Sequence, residues 1–81
     1  QYGYQIVQLI ERAAEMTSQE EQLRAVAYIG RLMKTFNQTW TDKNIEDEVI
    51  VQQLREISKG RISLDMQTVR TEGLFEAEPN N

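Results

Sequence analysis

The run SQEEQLRAVAYIGRLMKTFN, from Ser18 to Asn37, decides the fold. Its apolar residues Val26, Ile29, Met33 and Phe36 recur every three or four positions, with Ala25 and Leu32 beside them, which makes one buried stripe on a helix. Ser18 and Glu21, three residues apart, form a capping box in which each side chain serves a free backbone N–H of the other residue. The helix therefore starts at Ser18. Asn37, a residue that tolerates the left-handed conformation, is its expected stop. A glycine inside a helix costs about 1 kcal/mol relative to alanine. At Gly30 either the helix absorbs this cost or another backbone packs closely, and close packing of helix 1 or helix 3 is the preferred reading.

Upstream, Ile6, Leu9, Ile10, Ala13 and Met16 have the same spacing and predict a helix from Tyr4 to Met16, ended by Thr17 and Ser18. Downstream, the stretch from Gln38 to Lys43 reads as a connection carrying Trp40 between Thr39 and Thr41. A third helix follows. Glu46, Asp47 and Glu48 lie where a helix N-terminus favours negative charge. Ile45, Val49, Ile50, Leu54 and Ile57 give it an apolar face, and Gly60, after Arg55 and Lys59, is its expected end. Short connections between the three imply an all-α fold, a small three-helix bundle built by residues 1–60.

Past Gly60 the pattern changes. Ile62, Leu64 and Met66 alternate with Arg61, Ser63, Asp65 and Gln67, the period of an extended strand with one buried face. With no second strand to pair with, residues 61–81 are expected to form an extended C-terminal arm laid on the helices or on another chain. The end, residues 76–81 with Pro79, reads as a polar terminus. Ordering a residue costs about 1 to 2 kcal/mol, so an arm carrying these apolar residues, then Val69, Leu74 and Phe75, implies a receiving surface.

Composition narrows the chemistry. A chain of 81 residues makes one domain, and at this size only about 60% of the unfolded surface is buried. Cysteine and histidine are both absent, which removes disulfides, the common zinc ligands, the usual general base and the thiolate nucleophile. Association with a second copy or a partner protein is the remaining source of support, and neither an enzyme nor a cofactor site is expected. The cysteine-free composition suits a reducing, cytoplasmic setting. The longest aliphatic run, Val49, Ile50 and Val51, falls far short of the roughly 20 residues of a membrane span. Starting at Gln1, the chain reads as trimmed or processed. A net charge of −4 argues against nucleic acid, although Arg24, Arg31 and Lys34 share one helical segment.

Motifs of catalysis or metal binding do not survive inspection. Asp42, Asn44 and Glu46 alternate like calcium-loop ligands, but Asp47 stands at the glycine position and Gln53 at the twelfth, so an acidic first turn is the better reading. Ser58 beside Lys59 lacks oxyanion donors for a dyad. The four glycines lie too far apart for a phosphate loop. Trp40 can anchor a partner or fold back as a lid, and the lid is favoured because a small core needs its large side chains. Leu74 and Phe75, among Glu72, Gly73, Glu76 and Glu78, resemble a short docking motif. Partner-binding candidates are thus Trp40, Ile62, Leu64, Met66, Leu74 and Phe75. Truncating Ile29 or Leu54 to Ala should cost about 2 to 5 kcal/mol as a core truncation, whereas truncating Leu64 or Phe75 should weaken association more than folding.

The opening Tyr2, Gly3, Ile6, Leu9, Ile10, Ala13, the central Arg24, Ala25, Ile29, Met33, Asn37, and the closing Leu54, Ile57, Ser58, Ile62, Asp65 resemble one family, domain of unknown function 4290, a small cytoplasmic domain of Bacteroidetes. The likeness runs without gaps from Tyr2 to about Asp65. It departs where the family shows a proline after the asparagine, an Arg-Asp pair and a Trp-Asp-His-Leu run. Here Gln38, then Thr41 and Asp42, then Ile50, Val51, Gln52, Gln53 and Leu54 occupy those places; Asp42 and Leu54 survive and the rest does not. The resemblance implies a fold and no activity. The reading is a non-catalytic helical protein-interaction module, a homodimer or a small subunit of a complex; the alternative is an accessory nucleic-acid protein using helices 2 and 3.

Overall fold

Four helices follow one another: α1 (Tyr4–Ala14), α2 (Gln19–Thr41), α3 (Asp47–Ile57) and α4 (Met66–Glu72). They belong to a computed structural model that describes residues 2–41 and 44–76, and among these there is no strand. Asp42, Lys43 and residues 77–81 of the expected polar terminus, Pro79 among them, lie outside the described residues. α1 packs most extensively on α2, α3 lies against both, and α4 lies against α3.

Ser18 caps α2 as its sequence predicts, its Oγ accepting the Glu21 N–H at 3.2 Å. The helix buries Val26, Ile29 and Met33 against Ile10 and Ala13 of α1 and Ile50 and Leu54 of α3. It does not stop at Asn37. That side chain donates to the Met33 carbonyl at 2.8 Å, and Thr41 Oγ1 donates to the Asn37 carbonyl at 2.5 Å, so the helix continues one turn further. No glycine or proline between Gln38 and Thr41 opposes it. Trp40 therefore lies on a helix and not in a connection. α1 ends two residues before Met16, whose N–H closes a tighter turn onto Ala13 at 3.1 Å.

α3 ends in a Schellman motif, with the Gly60 N–H on the Arg55 carbonyl at 2.8 Å and the Lys59 N–H on Glu56 at 3.1 Å. The left-handed position after the last helical turn falls on Lys59, φ 58°, one residue before the glycine expected to occupy it. Behind this turn Ser58 is fully buried. Its hydroxyl donates to the Arg55 carbonyl at 3.3 Å and accepts the Ile62 N–H at 2.8 Å, which fastens the next segment to α3.

The extended arm is the expectation that the structure corrects. Only the stretch around Ile62 to Asp65 is extended; α4 then forms. Asp65 Oδ2 accepts both the Thr68 N–H and the Thr68 hydroxyl at 3.2 Å, an N-cap that outweighs a period-two pattern only three apolar residues long. Gly73, φ 58°, closes the helix in a second Schellman motif, the Leu74 N–H reaching the Val69 carbonyl at 3.1 Å. Ile62, Val69 and Phe75 are buried in the common core. Residues 61–76 are thus part of the folded body, and the expected division at residue 60 does not separate two packing units.

Phe75 also explains Gly30. A Cβ at Gly30 would overlap the Phe75 ring, so the glycine forms a notch that admits the ring against α2. The close approach at Gly30 is made by the Phe75 side chain of the C-terminal segment and not by the backbone of helix 1 or helix 3. Arg31, next in the chain, holds the same segment by donating to the Leu74 carbonyl at 3.1 Å.

Candidate functional site

The best-defined surface feature begins with Tyr2, just ahead of α1. Its hydroxyl donates to Gln53 Oε1 of α3 and accepts from the Asn37 amide of α2 at 2.8 Å. The phenol thereby ties three parts of the chain together, with both its donor and its acceptor used. The Tyr2 ring lies 5.3 Å from Phe36, and Phe36 lies 6.1 Å from Trp40, in tilted contacts. The three aromatic residues form a row that climbs the last turns of α2 from half-buried to exposed.

Trp40 ends that row at 73% exposure. The lid reading is therefore corrected: the indole lies on Phe36 and covers no core. The reason is the prolonged helix. One more turn of α2 carries position 40 beyond the end of the core, where a loop would have let it fold back. Thr41, the residue after it, joins Asn37, Asn44, Ile45, Glu46 and Val49 in lining an open cleft of about 640 Å³. On the other side of the Tyr2 bridge a second cleft, about 340 Å³, is lined by Tyr2, Val7, Gln53, Glu56 and Ile57.

The remaining partner-binding candidates lie elsewhere. Ile62 and Phe75 are 2% exposed and pack in the core, Phe75 also edging a cleft with Arg31, Lys34, Thr35 and Gln38. Leu64 is half-buried beside Leu23 and Val26, at a small cleft of about 230 Å³. Met66 opens α4, and Leu74 lies half-buried against the core. The six residues do not form one surface. Trp40 stands apart from the other five, which belong to the segment closing the core.

Arg24, Arg31 and Lys34 each face an acceptor within the chain, and Arg31 and Lys34 line one cleft. Arg24 faces Glu20 at 3.8 Å, Arg31 holds the Leu74 carbonyl, and Lys34 faces Asp47 Oδ1 at 2.6 Å. That oxygen is buried without a hydrogen bond of good angular geometry, so the ammonium provides its compensation. Of the supposed calcium ligands, Asp42 lies outside the described residues, and Glu46 is the N-cap residue of α3.

Sequence reasoning had no functional role for Gln53. Its signal was a polar residue between Val49 and Ile57 on one helical stripe, a place where a fully buried face would be apolar. Tyr2 drew notice only through the family resemblance, and Asn37 otherwise only as an expected helix end.

The sequence pattern of DUF4290, a domain of unknown function, matches residues 1–68. The chain belongs to this family. The match includes Tyr2, Asn37 and Gln53, together with Ser58 and the Asp65 cap, whereas Leu74 and Phe75 fall outside it. No curated protein and no solved structure matches this DUF4290 chain.

Proposed function

We propose that this DUF4290 chain is a non-catalytic helical protein-interaction module, working as a homodimer or as a small subunit of a complex. One observation carries the reading: a tryptophan 73% exposed, seated on Phe36 beside an open cleft. Exposed tryptophans backed by a rigid aromatic support are the residue type that dominates binding energy at protein interfaces. A cytoplasmic setting is part of the proposal, supported by the cysteine-free composition. Among the described residues no helix is long and apolar enough to cross a membrane. The nucleic-acid alternative gains no support from Arg24, Arg31 and Lys34, each of which already faces a carboxylate or a carbonyl.

The test compares the wild type with Trp40→Ala, by light scattering across a concentration series and by capture of proteins from a native lysate. The expected result is association that the substitution removes while the fold remains. A wild-type chain that stays monomeric and captures nothing beyond what Trp40→Ala captures would overturn the reading.

A further inference from the structure

Arg24, Tyr28, Leu32, Phe36 and Trp40 follow one another at intervals of four along α2 and form one ridge of the kind that such neighbours make on a helix surface. Tyr28 is 52% exposed and Trp40 73%, while Leu32 and Phe36 are half-buried outside the core and the side chains packed on it. Among the described residues the Arg24 guanidinium meets one carboxylate, that of the exposed Glu20 at 3.8 Å, a loose surface pair within α2. The ridge is thus an apolar strip with a cation at its N-terminal end and an indole at its C-terminal end. α2 has 23 residues against 11 in α1 and 11 in α3, and the shorter helices leave this edge of it open.

Resting on the interaction reading, we infer that the occupant of this ridge is the same ridge of a second copy, crossing it antiparallel about a two-fold axis at Leu32. The order of the side chains selects that occupant. In the antiparallel register Leu32 meets Leu32 of the second copy, Tyr28 meets Phe36, and Arg24 meets Trp40, the last two pairs each occurring twice. The middle pairs are aromatic contacts and the end pairs cation–π contacts. The two Arg24 guanidiniums stay at opposite ends, about 24 Å apart at about 1.5 Å of helix rise per residue. A parallel pairing would instead set Arg24 against Arg24. No ridge position carries a carboxylate, so the chain's net negative charge is kept off the contact line.

Packing and area agree with this occupant. Ridges of residues four apart interlock at a crossing angle near about −50°, the commonest helix packing in globular proteins. An aromatic side chain buries about 150 to 250 Å², so Tyr28 and Trp40 at 52% and 73% exposure offer about 200 to 300 Å² between them. Arg24, Leu32, Phe36 and the exposed Thr35 and Thr39 beside them bring the face to the order of 600 Å², the lower end of what each partner buries in a stable complex. A dimer of this size should dissociate on dilution.

The experiment uses the full chain, which lacks cysteine, so that a single added thiol reports its own encounter with a second copy. Leu32→Cys places one thiol on the proposed axis, where facing Cα atoms of crossing helices come within disulfide reach. Gln67→Cys places one at an exposed position of α4. Under mild oxidation with copper phenanthroline, Leu32→Cys should form a linked dimer about tenfold or more faster than Gln67→Cys. On dilution of the wild type, light scattering should show dimer giving way to monomer while the emission of Trp40, the sole tryptophan, moves to the red. Leu32→Glu, which sets two carboxylates face to face, and Arg24→Glu, at the exposed end of the ridge, should each weaken the dimer about tenfold or more, with circular dichroism verifying the fold. A dimer that links no faster through Leu32→Cys than through Gln67→Cys, or that both charge variants leave unchanged, uses another face; either result overturns the inference and leaves the interaction module standing. A chain that is monomeric at every concentration yet captures a different protein through Trp40 does the same. A monomer that captures nothing overturns both.

Discussion

At Gly30 a single missing methyl group decides where the C-terminal segment can go. The Phe75 ring occupies the space a Cβ would need, so Gly30→Ala should destabilise the fold by about 1 to 3 kcal/mol, the usual range for overpacking. In a Phe75→Ala background the same change meets no ring and should instead gain up to about 1 kcal/mol from helix propensity. A double-mutant cycle in urea reads both signs. Part of this was legible, because a glycine inside an otherwise strong helix called for a close neighbour. Its identity was not, since nothing local links position 30 to an aromatic residue 45 positions away in the chain. Trp40 failed for the opposite reason: its local surroundings suggested a loop, and a hydroxyl-to-carbonyl bond at Thr41 helped prolong the helix.

Among the elements, α1, α2 and α3 followed from apolar spacing, and the errors were confined to their ends. α4 was missed because alternation at Ile62, Leu64 and Met66 hid a helix start at Asp65 and a helix stop at Gly73. The cap is open to a direct check. Asp65→Ala removes the acceptor for the Thr68 N–H and should cost about 1 kcal/mol, with hydrogen exchange quickening first in the amides of α4. The end of α3 offers the opposite change. Lys59 holds a left-handed conformation, φ 58°, that disfavours an L side chain by about 1 to 2 kcal/mol. Glycine there loses some of that gain to its freer unfolded state, so Lys59→Gly should raise stability by up to about 1 kcal/mol and increase the melting temperature.

For the whole molecule, the core is closed by its last described segment. Phe75→Ala should cost about 3 to 5 kcal/mol, comparable with Leu54→Ala and contrary to the sequence-based expectation that it would chiefly weaken association. Trp40→Ala should shift stability by no more than about 0.5 kcal/mol, because the indole is exposed. Chemical denaturation of the three variants separates the residues that hold the fold from the exposed Trp40. The all-helical class was legible because apolar spacing is a local signal. The Tyr2 bridge was not, because Tyr2, Asn37 and Gln53 meet only when α1, α2 and α3 are assembled.

The Phe75 contact also bears on what should be produced to study this family. Similarity ends at Thr68, in the first turns of α4, so a fragment cut at that border keeps the Asp65 cap and discards Val69, Gly73 and Phe75. Gly30 would then face water through an empty slot, and Ile62 would lose neighbours from its own core. Such a fragment should aggregate or be cleaved readily by proteases. The stretch shared with relatives is shorter than the stretch that folds, and expression boundaries drawn from homology alone would amputate the keystone.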